Sequence, residues 1–99
     1  MAALVTIDQA RRHLRLTESD MEDADVATDV ADKAEEATDI VIDYIKQPDH
    51  EWTTETVPWR VKAAILLVLG AIFHDREGGD PISDAVKSLL HRMRDPALA

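Results

Sequence analysis

The chain contains no cysteine. Disulfide staples and thiolate metal sites are therefore excluded, and the composition fits a reducing compartment such as the cytoplasm. Glycine is scarce: Gly70, Gly78 and Gly79 are all there is. Their spacing matches no phosphate-cradling loop or dinucleotide fingerprint. Aromatics are limited to Tyr44, Trp52, Trp59 and Phe73. Long apolar runs are missing too. The longest, Ala63–Phe73, spans 11 residues, whereas a membrane span needs about 20. The apolar part of Ala2–Ile7 is short and is followed, not preceded, by arginines, so no secretory signal is expected.

What the chain has in excess is negative charge. Its 99 residues carry a net charge of −9, very unevenly spread: +2 over residues 1–16, −11 over 17–51, and 0 over 52–99. Binding to a phosphate backbone requires clustered Lys and Arg. Direct nucleic-acid binding is thus not expected, the short basic patch of Arg11, Arg12 and Arg15 being the one exception. The length fits a single domain, residues 1–99.

Periodicity and capping signals predict an all-α fold, a compact bundle of about four helices. The first covers residues 7–14, with Thr6 and Gln9 forming a capping box and the arginines near its negative end. The second is long and acidic, from about Asp20 to Lys46, opened by a Ser19–Glu22 box and stopped by Pro48. Ala24, Ala27, Ala31, Ala34, Thr38, Val41 and Ile45 recur at three–four spacing, flanked by Val26, Val30, Ala37, Ile40 and Tyr44. The small residues predict close helix approach, with Ala31 in the contact. Residues 48–57 read as a polar connection, with a short extended piece at its threonines. The third helix starts at Pro58, ends near Glu77 before Gly78-Gly79, and is apolar all round from Ala63 to Phe73, which predicts burial on every side or a share in an interface. A fourth helix, capped by Asp80 or Ser83, runs from about Pro81 to Arg94 and ends at Asp95-Pro96.

No residue set supplies catalysis. His13, His50, His74 and His91 lack metal-ligand spacing; His50-Glu51 opens like H-E-x-x-H, but Thr54 stands where the second histidine belongs. The acids Glu18, Asp20, Glu22, Asp23, Asp25 and Asp29 lack the alternation and the glycine of a calcium loop, and read as a solvated helix face. Ser19, Ser83 and Ser88 have no nucleophile-elbow context. His74-Asp75-Arg76-Glu77 reads as a polar helix end. No catalytic, cofactor or metal residue is assigned, and no cofactor is expected. Trp52 and Trp59 read first as closing the bottom of the core and second as interface anchors. The remaining candidates for contact with other proteins are the basic set Arg11, Arg12 and Arg15, the acidic set Asp25, Asp29 and Asp32, and Arg76 with Glu77.

Taken in order, these segments resemble the small head–tail connector (adaptor, DNA-packaging) proteins of tailed bacteriophages. The resemblance is carried by Leu4-Val5-Thr6-Ile7-Asp8-Gln9-Ala10 with His13-Leu14-Arg15-Leu16, then by the long helix ending in Tyr44-Ile45. Val57-Pro58 leading into Val61-Lys62-Ala63-Ala64-Ile65-Leu66-Leu67 follows, then Phe73, Arg76 and Glu77, and a tail with Val86, Leu89, Leu90 and Arg94. It covers nearly the whole chain. Phe73-His74 stands where the family often has a tyrosine, and Gly70 falls inside a helix. The resemblance implies a non-enzymatic virion protein. It would form a ring, typically of twelve subunits, beneath the portal protein, extending the DNA channel and docking the next head-completion or tail protein. The alternative from another class is a small acidic helical regulator, antitoxin-like, that binds a single protein partner.

Overall fold

A computed structural model of the chain describes residues 3–74 and 80–91. Among these residues there are five α-helices and no strand: α1 Ile7–His13, α2 Glu18–Met21, α3 Ala24–Ile45, α4 Trp59–His74 and α5 Asp84–Leu90. The all-α expectation holds, but the long acidic helix is split in two. Thr17, not Ser19, opens α2: its hydroxyl accepts from Asp20 N–H at 3.0 Å, and Asp20 Oδ2 accepts from Thr17 N–H at 2.8 Å. Asp23 then caps α3, accepting from Asp25 N–H at 2.9 Å. The predicted Ser19–Glu22 box does not form, because Ser19 lies inside α2 and Glu22 caps its far end. Short acidic and hydroxyl side chains satisfy free backbone N–H groups better than they propagate a helix.

The predicted Thr6–Gln9 box does form, with bonds of 3.1 and 2.9 Å. Both α1 and α3 end without glycine. Arg15 (φ 60°) and Lys46 (φ 58°) take the left-handed conformation instead. After α1, Arg15 N–H reaches the Arg12 carbonyl and Leu16 N–H the Arg11 carbonyl, both at 3.1 Å. Lys46 and Gln47 repeat the pattern on Asp43 and Ile42. This is the paired closure that usually recruits glycine, so α3 stops before Pro48 is reached.

The core forms where α3 packs against α4; α5 also packs on α4, and α1 contacts both α3 and α4. From α3 it takes Val30, Ala34, Ala37, Thr38, Val41, Ile42 and Ile45; from α4, Val61, Ala64, Ile65, Val68 and Leu69; from α5, Val86 and Leu90. Ala31 is exposed, as is Ala24. The expected alanine contact at Ala31 is therefore corrected: the close approach is made by Ala34 and Ala37. Thr38 fastens the N-terminal segment to this core. Its hydroxyl accepts from Leu4 N–H at 3.2 Å and donates to the Ala34 carbonyl at 2.9 Å, fully out of solvent.

Residues 53–57 form a turn, not the expected extended piece. Thr53 N–H donates to Thr56 Oγ1 at 2.8 Å, and Val57 N–H closes on the Thr53 carbonyl at 2.9 Å. Lys62 Nζ holds this connection against α4 through the Thr54 carbonyl at 2.9 Å. Ser83 caps α5 through Val86 N–H at 3.3 Å, while Asp80 serves Ile82 N–H at 2.9 Å. The expected ends of the last two helices, at Glu77 with Gly78-Gly79 and at Arg94 with Asp95-Pro96, lie outside the described residues.

Candidate docking surface

α4 carries no acid, and its sequence is apolar around the whole circumference between Ala63 and Phe73. The fold covers only one side of it. Val61, Ala64, Ile65, Val68 and Leu69 are buried, while Trp59 is 67% and Leu67 39% exposed. Ala71 is also exposed and Ala63 partly so. Trp59, Ala63, Leu67 and Ala71 follow one another at i+4 intervals and so share a face. The expectation that this helix is buried on every side is thus corrected: one stripe of it is exposed in whole or part. Arg60 lies over the indole of Trp59, 4.8 Å from the ring centroid, a cation–π arrangement that restrains the ring without covering it.

The two tryptophans part company. Trp52 is partly buried against the core and stacks on His50 with ring centroids 5.2 Å apart, as the core reading predicts. Trp59 contradicts that reading, because the turn at 53–57 carries the chain onto α4 with the indole facing out. Ala63, Leu67 and Ala71 escape sequence analysis for a related reason: a helix apolar all round shows no preferred face.

Among the described residues no ion pair joins two of the charged candidates. Arg11 is mostly buried and committed: it pairs with Asp8 at 3.0 Å and donates to the Leu16 carbonyl at 3.1 Å. Arg12 pairs with the same Asp8 at 2.9 Å from an exposed position. Arg15 is exposed at its turn. Asp29 pairs with Lys33 at 2.8 Å, one turn along α3; Asp25 and Asp32 are exposed. Arg76 and Glu77 lie outside the described residues. Of the basic set, then, Arg15 alone has no ion-pair partner among the described residues.

Shallow grooves flank these elements. One of about 480 Å³ at the end of α3 is lined by Asp39, Ile42, Asp43, Lys46 and Pro48. A second of about 230 Å³ between α1 and α2 is lined by Ile7, Asp8, Arg11, Glu18 and Met21. Ile7 is 48% exposed there. Neither lining pairs a nucleophile with a base. Among the described residues no group of three or more metal-ligating side chains converges, and no buried side-chain nitrogen or oxygen lacks a partner.

His13 sits where α1 meets α4. A Cβ at Gly70 would come within 3.4 Å of its Nε2, so the missing side chain makes room for the imidazole. Partial burial, and secondarily the charge of His74, hold His13 below its ordinary value of 6.5. Gly70 is thus a contact point between helices. No helix among the described residues is long and apolar enough to cross a membrane. No family model, no curated protein and no solved structure matches this chain.

Proposed function

We propose that this protein is a structural assembly subunit, a head–tail connector of a tailed bacteriophage, and not an enzyme. In this reading it resides in the virion, forms a ring beneath the portal protein and offers a docking surface to the next head-completion or tail protein. The observation that carries it is the stripe of Trp59, Ala63, Leu67 and Ala71, left open on the most apolar helix of a small fold. Aligned exposed apolar side chains of this kind mark interaction sites, and tryptophan is the residue most enriched at interface hot spots. The sequence resemblance supplies the identity of the assembly. The acidic run along α2 and α3 fits a ring around DNA, since negative walls repel phosphates and keep the channel from adhering to its contents.

Native mass spectrometry and electron microscopy of the purified protein, alone at high concentration and mixed with the cognate portal ring, test the proposal. Ring-shaped oligomers or decorated portals are expected. Free monomer under both conditions would overturn it and favour the single-partner helical regulator.

A further inference from the structure

We propose that the α4 stripe of one copy docks into the α1–α2 groove of a second copy, with Arg60 of the first meeting Glu18 of the second. The inference rests on the assembly reading and names its two mating surfaces. Three large hydrophobic side chains stand exposed among the described residues, and they fall on two different surfaces: Trp59 and Leu67 on α4, Ile7 on α1. The first pair forms a ridge. Trp59 to Ala71 spans 12 residue steps, about 18 Å of helix. Ile7 instead borders a recess, with Met21 as its other apolar lining residue. A ridge and a recess are complementary in shape.

The charges agree with the shapes. α4 carries Arg60 and Lys62 and no acid. Lys62 is committed to the Thr54 carbonyl, whereas Arg60 overlies Trp59 and has no acidic partner among the described residues. On the groove, the α1 wall satisfies itself, since Asp8 is held by both Arg11 and Arg12. The α2 wall does not. Glu18 has no basic partner among the described residues, and Asp20 and Glu22 beside it add to the same sign. Pairing ridge with ridge brings Arg60 against Arg60, and pairing groove with groove brings α2 against α2. Like charges disfavour both twofold arrangements. The surviving contact is head-to-tail, the kind that closes into a ring when the rotation allows.

Charge-swap variants test the pairing by sedimentation, with circular dichroism confirming the fold of each. Arg60→Glu and Glu18→Lys singly should each weaken self-association about tenfold or more, because each creates a like-charge contact. The double variant should recover to within about threefold of the parent chain. Trp59→Ala should weaken association without lowering helix content. Single reversals without effect, or a double variant worse than either single, would overturn the pairing. If the parent chain still forms rings in that case, the connector reading stands and only the mating surfaces are wrong. A parent chain that stays monomeric alone and with the portal would overturn both.

Discussion

Helix α4 has two faces of similar composition and opposite fate. Val61, Ala64, Ile65, Val68 and Leu69 vanish from solvent against α3 and α5, while Trp59, Ala63, Leu67 and Ala71 remain open to it in whole or part. Hydrophobicity alone does not distinguish them. What differs is whether the chain supplies a cover: α3 offers a continuous apolar arc from Val30 to Ile45, whereas the other side stays exposed in whole or part. Apolar surface is thus divided between holding the fold and meeting a neighbour, and the division is testable residue by residue.

The sharpest break between the faces is a pair of truncations. Leu69→Ala removes a fully buried side chain and should destabilise the protein by about 2–5 kcal/mol. Leu67→Ala, two residues away on the open face, should stay within about 0.5 kcal/mol. Urea unfolding of both variants checks this, and equal losses would mean that the stripe is covered within the subunit.

Enlargement on α3 draws the same boundary. Ala37→Leu, at a position with no exposure, should cost about 1–3 kcal/mol by overpacking. Ala31→Leu, on the exposed side of the same helix, should leave the melting temperature nearly unchanged. A large loss at Ala31 would restore the alanine stripe as a packing surface.

An effect of similar size belongs to Thr38. Thr38→Val keeps the shape but strips the acceptor from the buried Leu4 N–H, and an unsatisfied buried donor costs about 1–3 kcal/mol. Chemical denaturation should show the loss, and amide exchange at Leu4 should accelerate.

The smallest concerns pH. His13 titrates below 6.5 in the folded chain, so the unfolded chain binds more protons just below that value. Stability should therefore be complete above pH 6.5 and decline as pH falls through the lowered value. His13→Gln should flatten that part of the profile, as urea unfolding across this pH range would show.

Much of this architecture was legible in local sequence because its causes are local. The Thr6–Gln9 box and the Ser83 cap, one of the two residues expected there, follow from side chains within three or four residues of the groups they serve. Other local signals competed. Thr17, Ser19 and Asp23 are all plausible caps within one short stretch, and the structure uses Thr17 and Asp23, so one predicted helix became two. The ends of α1 and α3 were harder still, since Arg15 and Lys46 adopt a conformation that glycine ordinarily announces. Of the predicted contact residues, Trp59 emerged on an open face, whereas Trp52 joined the core and Arg11 became a brace for the α1–α2 turn.

The sequence by itself determined the helical class, the concentration of acid in residues 17–51 and the exclusion of thiol chemistry. These depend on composition and on periodicities that a chain carries whatever its neighbours do. Only the tertiary structure decided which apolar residues are used inside. That choice depends on the angle at which α3, α4 and α5 meet and on the turn at 53–57 that delivers Trp59 to the surface. A helix apolar on every side encodes no preferred direction, so its open face exists only once the other helices have covered the rest.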